Sequence, residues 1–282
     1  MFGFSKSSSH LPRRLLYGTL SLVTAVSVLL LSPPAVFGFS IFDILPNVIE
    51  VIQLSSMSDE QEVALGRQIN DRLVRDVRLY NNRQVTNYIN AIGQRLVRQS
   101  SRPELPFTFQ VVQDDSINAF ATLGGFVYIN TGLIRRADNE AELAGVVAHE
   151  IAHVTEKHVL DRLRQAAIAQ GVLNATGVDP DVLVNIAYEL VINRPNSRSA
   201  EYEADQVGLD ILTRSNYAPV GMVNFFERLL SSGGGGLPQF LNTHPDTRNR
   251  VARLRDEIDP SRAAQGDGLN NAAYRQQIQP LL

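Results

Sequence analysis

The sequence predicts an α+β fold, mostly helical, with a small β-sheet beside one buried helix. Three features predict it. Apolar residues recur at helical spacing over much of the chain after Ser58, and extended stretches are confined to Phe107–Leu133. A strongly apolar helical pattern then runs from Asn139 to Leu163. With 44% hydrophobic residues over 282 positions and no internal repeat, the chain can bury a proper core, which excludes disordered and collagen-like classes.

Residues 1–38 stand apart. Lys6, Arg13 and Arg14, with no acid among them, precede an uncharged 17-residue apolar run, Leu15–Leu31, ended by Ser32, Pro33 and Pro34. Ala35-Val36-Phe37-Gly38 then offers small residues for cleavage after Gly38, the order expected of a signal segment. The alternative is an uncleaved anchor helix, at the short limit for about 30 Å of hydrocarbon. Both imply export, with membrane contact only through this segment if it stays uncleaved, and an exported chain without cysteine is ordinary in a bacterial periplasm or cell envelope. Residues 39–282 are expected to form a single domain. The whole chain has 26 Lys+Arg against 29 Asp+Glu, and losing the three leading bases leaves 23 against 29, a net −6. Such a surface attracts neither nucleic acid nor an anionic membrane. With no cysteine, disulfides, thiolate metal sites and cysteine nucleophiles are excluded.

Ser58–Tyr80 places Val63, Leu65, Ile69, Leu73 and Val77 close to helical spacing, and Val85–Val97 repeats the pattern through Tyr88, Ile89, Ile92 and Leu96. Pro103 and Pro106 break the chain before Phe107–Val112, which begins by alternating as a strand does. Ala119–Leu133 is a second extended region, with Gly124-Gly125 as the turn before Phe126–Ile129. Helices are expected from Asn139 onward. Ser232–Gly236 reads as a flexible loop, since too little chain follows to make a second core.

His149-Glu150-Ile151-Ala152-His153 is an HExxH pattern, and five His and 13 Glu in 282 residues give about 0.004 chance occurrences. Leu143, Val146, Val147, Ile151 and Val154 put it in a helix with a buried side. Residues four apart share a helix face, so both imidazoles can reach one metal ion, and Glu150 can take a proton from water activated there. Buried histidines merely satisfied by hydrogen bonds are the structural alternative. A catalytic zinc usually has three protein ligands, and without cysteine the third must be His, Asp or Glu. The position six beyond His153 is Val159. Farther on, Glu201 and Asp205 lie four apart in an apparent helix reaching Leu212. Glu201 suits a ligand and Asp205 an acceptor for a ligand histidine's second N–H. Alone, the same acids would suit a solvated helix N-terminus; beside an incomplete zinc site the ligand reading wins. His158, five after His153, would lie about 140° round a continuous helix, away from the metal face, and is expected to be structural.

HExxH followed by Glu201-x-x-Ala204-Asp205 resembles the gluzincin metallopeptidases of the HtpX and CAAX prenyl protease family. Asn118-Ala-Phe-Ala121, Gly124 through Leu133, Thr243-His244-Pro245 and Arg250 match further pieces in the same order. The resemblance is to soluble, exported bacterial members and implies a stand-alone zincin-like catalytic domain. It implies one Zn2+ per chain, held by His149, His153 and Glu201, with Glu150 as general base and later proton donor. His244 would lie beside the zinc, blocking it or contacting the tetrahedral intermediate; a plain turn residue is the alternative. Arg250 would pair with an acid near the metal, Asp205, or be a solvated helix arginine. Asn118 falls among the substrate-binding residues. Phe126, Val127, Tyr128 and Ile129 resemble the family's edge strand, which pairs with extended substrate; ordinary core pairing is equally compatible with their pattern.

The function so implied is zinc-dependent endopeptidase action on polypeptides, namely unfolded or damaged envelope proteins. A chaperone-like peptide-binding protein using the same cleft without turnover is the alternative, as is a purely structural zinc. Glu150 favours hydrolysis, because a binder needs no base there. Three ligands argue against a structural zinc, which four protein groups normally close.

Overall fold

A computed structural model of the chain describes residues 57–170, 180–193, 195–231 and 238–282. The expected signal segment and the Ser232–Gly236 loop lie outside the described residues. The element order is α1 (Asp59–Asp76), α2 (Arg83–Val97), β1 (Thr108–Val112), β2 (Ala119–Ala121), β3 (Phe126–Asn130), α3 (Thr131–Arg136), α4 (Glu140–Thr155) and α5 (His158–Ala169). Then follow α6 (Pro180–Asn193), α7 (Arg198–Arg214), α8 (Val220–Ser231), α9 (Gln239–Thr243), α10 (Thr247–Glu257) and α11 (Asn271–Gln277). The architecture is α+β and mostly helical, as expected.

Local chemistry sets many of the helix starts. Ser58 and Gln61 form a reciprocal capping box on α1, and the side chains of Asn82, Asn139 and Ser197 cap α2, α4 and α7. The apolar stripes fall where periodicity puts them: Leu65, Ile69 and Leu73 on α1, and Val85, Ile89, Ile92 and Leu96 on α2, are buried. The core centres on α4, buried from Ala141 through Thr155, with α7 and α8 packed against it. Gly208 permits that closeness, since a Cβ there would lie 3.0 Å from the backbone nitrogen of His149. At the start of α4, Glu140 accepts hydrogen bonds of 2.7 Å from the hydroxyls of both Tyr88 and Tyr217. At its far end, Arg102 donates to the Val154 carbonyl while paired at 2.8 Å with buried Glu62 of α1.

The sheet has three strands in the order β1-β3-β2, with β1 parallel and β2 antiparallel to β3. Of the two readings of Phe126, Val127, Tyr128 and Ile129, this corrects the edge strand and leaves ordinary core pairing. β3 is the central strand, paired with β1 from Phe126 to Asn130 on one side and with β2 on the other, so its backbone groups are already used. All five residues of β3 are buried, the pattern of a strand covered on both faces. The edge beside α4 belongs to β2. Asn130 N–H donates to Asn118 and Thr122 N–H to Phe126, so by antiparallel alternation Ala119 and Ala121 turn their backbone groups away from β3.

Two boundaries differ from expectation. The extended region ends at Asn130, because α3 starts at Thr131. The helix expected over Asn139–Leu163 is two helices: Lys157, at φ 58°, takes the left-handed conformation that ends α4, and α5 starts afresh at His158. Angular bookkeeping does not carry across such a break. His158 therefore does not face away; its Nδ1 lies 2.8 Å from Nδ1 of His153.

Candidate metal centre

Four elements converge on one buried point. Helix α4 supplies His149, Glu150 and His153, α7 supplies Glu201 and Asp205, the residue after α9 is His244, and α10 supplies Arg250. One donor atom from each of His149, His153, Glu201 and His244 lies within 4.8 Å of the others. Nε2 of His149 is 3.1 Å from Nε2 of His153, 3.2 Å from Nδ1 of His244 and 3.4 Å from Oε2 of Glu201. Glu201 Oε1 lies 3.2 Å from His153 Nε2 and 3.1 Å from His244 Nδ1.

These spacings fit a metal. A tetrahedron with bonds of about 2.0–2.1 Å has edges of about 3.3 Å, and the donor set is imidazole and carboxylate, the chemistry of a zinc-type divalent site. The lone pairs of two imidazole Nε2 atoms 3.1 Å apart have no use for one another unless a proton or cation lies between them.

Around the donors the partners differ. Asp205 Oδ1 lies 3.0 Å from His149 Nδ1, so it accepts that N–H and leaves Nε2 turned inward. Arg250, fully buried, donates from Nε and Nη2 to the two oxygens of Asp205 at 2.6 Å and meets Glu201 Oε2 at 2.5 Å. Burial works to lower His149, but Asp205 and Glu201 outweigh it and raise the ring to about 9. Burial lowers His153 to about 3. Glu201 stays well below the usual carboxylate range despite burial, because His244 and Arg250 lie beside it.

Glu150 is 1% exposed, and its Oε1 has no hydrogen-bond partner among the described residues, although His244 Nε2 stands 3.4 Å away. Burial raises its carboxyl, the direction that suits a proton carrier near neutrality. A small cleft opens beside these groups, and Phe120, Ala121, Glu150, His153, Asn196 and His244 are among its walls.

His149, Glu150, His153, Glu201, Asp205, His244 and Arg250 thus come together. Asn118 is buried on the approach to β2, where Oδ1 accepts from Thr243 Oγ1 at 3.4 Å. Phe126, Val127, Tyr128 and Ile129 lie in the sheet interior; the Tyr128 ring stacks on Phe120 at 4.7 Å. Three neighbours were not foreseen. Asn196 donates to Glu201 Oε1 at 2.7 Å and is itself held by Arg162 at 2.6 Å; neither belongs to a recognisable motif. Phe240 stacks on the His244 ring at 4.2 Å, and only its closeness to Thr243-His244-Pro245 could have flagged it.

Comparison with known proteins agrees with this geometry. Residues 83–258, more than half the chain, match the model of peptidase family M48. The chain is 34% identical over 227 residues to the beta-barrel assembly-enhancing protease of Escherichia coli K12, covering 74% of this chain and 46% of that protein. It is 36% identical over 147 residues to the mitochondrial metalloendopeptidase OMA1 of Arabidopsis thaliana, covering 51% and 30%. With metalloprotease YcaL of Escherichia coli K12 the identity is 32% over 161 residues, covering 54% and 63%. The chain therefore spans about half the length of the beta-barrel assembly-enhancing protease that it matches. No helix among the described residues is long and apolar enough to cross a membrane. A buried cluster of three histidines and a glutamate, inside a match of this extent, shows that the chain belongs to peptidase family M48, a family of metallopeptidases.

Proposed function

We propose that this chain is a zinc-dependent endopeptidase acting on unfolded or damaged proteins of a bacterial envelope. The observation that carries the reading is the buried Glu150 carboxylate, whose Oε1 has no hydrogen-bond partner among the described residues, beside four metal-type donors lying within 4.8 Å of one another. His149, His153 and Glu201 would hold one zinc ion, which supplies Lewis acidity: it lowers the pKa of water and polarises a carbonyl. The chain's own residues do the rest. Glu150 takes the proton of the attacking water and returns it to the leaving amine, with its affinity for that proton raised by burial. Asp205 keeps the His149 proton on Nδ1, and Arg250 neutralises the two buried acids.

Substrate pairing passes from β3 to β2. Ala119 and Ala121 turn backbone N–H and C=O groups outward, and Ala121 lines the cleft beside Glu150. Backbone pairing of this kind tolerates many sequences, which suits unfolded substrates, with Asn118 at the start of that edge.

His244 gives the site a fourth donor, and the segment that carries it also lies on the edge: Phe240 N–H donates to the Ile117 carbonyl at 3.0 Å. With His244 as a fourth protein donor the site would be closed, a latent arrangement in which His244 would have to yield before substrate enters. Export through residues 1–38 and a single catalytic domain over 39–282 complete the reading. Zinc analysis with casein cleavage by wild type and Glu150→Gln tests it. Equal zinc with cleavage reduced about 100-fold or more is expected; equal cleavage rules out Glu150 as the base, and no cleavage by the wild type leaves a peptide-binding protein.

A further inference from the structure

We propose that His158 and Glu203 form a positioning relay that fixes the tautomer and aim of His153. The inference rests on the metal reading of His149, His153 and Glu201. His153 turns Nε2 toward His149 and Glu201 at 3.1 and 3.2 Å, so Nδ1 is its outward atom. That atom lies 2.8 Å from Nδ1 of His158, with both rings buried. Two ring nitrogens this close share one proton: one donates and the other accepts. The far end decides which. Nε2 of His158 lies 3.2 Å from Glu203 Oε2, and a carboxylate only accepts, so the His158 proton sits on Nε2 and its Nδ1 is the acceptor. His153 Nδ1–H therefore donates outward, and its Nε2 lone pair is left facing the metal donors.

Burial alone does not explain the arrangement. The Glu203 side chain is 57% exposed, so water could satisfy it, yet it reaches to His158. The left-handed turn at Lys157 is what brings His158 back onto His153. One stretch of α7 thereby supplies a ligand, Glu201, and the outermost acid behind each histidine: Asp205 behind His149 and Glu203 behind His153. Removing such an outer partner weakens metal binding by about 10–100-fold.

The test measures zinc affinity and zinc release to a chelator for the full chain, together with thermal unfolding after chelator treatment. His158→Ala should weaken zinc binding by about 10–100-fold and Glu203→Ala by about tenfold. Glu203→Ala should leave unfolding of the chelator-treated protein unchanged. Glu203→Gln and His158→Gln should restore most of the affinity, since an amide oxygen can accept the required N–H. The double variant His158→Ala/Glu203→Ala should be no weaker than His158→Ala alone, because Glu203 acts through His158. Should His158→Ala fail to fold, the exposed Glu203 pair still decides the matter. Wild-type affinity in Glu203→Ala, or glutamine variants no better than alanine ones, overturns the relay while the metal reading stands. A wild-type chain that takes up no zinc overturns the metal reading itself.

Discussion

His149 and His153 lie one helical turn apart on α4, yet they are held in opposite ways. His149 is locked from the interior: Asp205 and Arg250 are buried and joined by two hydrogen bonds of 2.6 Å. His153 faces the cleft, with Asn196 3.3 Å from Nε2 and His158 behind Nδ1. The first imidazole is thus fixed by the same groups that hold α4, α7 and α10 together, so loss of its surroundings should be felt as stability. The second is held by His158 and, behind it, the exposed Glu203, so loss of its surroundings should leave stability nearly unchanged and be felt in the proposed metal binding.

The sharpest way to break this contrast is Arg250→Ala. It leaves Asp205 and Glu201 buried without their cation and should cost about 3–5 kcal/mol in urea unfolding. A loss below about 1 kcal/mol would mean that the His149 side is no more structural than the His153 side. Asp205→Asn keeps the volume but weakens the acceptor, and should lower zinc affinity about tenfold and stability with it. If it lowers affinity alone, as expected for Glu203→Ala, the two sides are equivalent. His244→Ala opens the fourth position, so casein turnover should change severalfold while zinc stays near one per chain. Unchanged turnover would make His244 an ordinary turn residue. The smallest effect is expected at Lys157, whose φ of 58° suits glycine: Lys157→Gly should raise stability by about 1 kcal/mol in thermal unfolding. Destabilisation instead would show that the break depends on the lysine side chain, which lies 3.6 Å from Asp59.

The sheet holds a second contrast, and it marks how far the sequence could be read. Phe126-Val-Tyr-Ile129 was legible as a strand, but which strands flank it depends on long-range pairing that alternation does not encode. A weaker signal was there in the unbroken apolar run Phe126–Ile129, which implies cover on both faces, but Ala119-Phe120-Ala121 is equally apolar, and the intermediate burial of Phe120 shows only in the structure. His158 was legible as a residue and misread as a direction, because one left-handed residue at Lys157 resets the helical phase. Asn196 had no signal, since a single amide outside any motif is indistinguishable from loop chemistry.

By itself the sequence determined the HExxH helix, the apolar stripes of the first two helices, and an acid pair on a later helix as candidate partners. All of these depend on neighbours within about four residues, where helix geometry fixes who faces whom. Only the tertiary structure decided that β2 rather than β3 is an edge strand, that His244 joins the cluster, that Arg250 ties Asp205 to Glu201 and that His158 stands behind His153. Those relations join residues that are distant in the chain or separated by a break in regular structure. Packing around the buried α4, rather than any local rule, selects them.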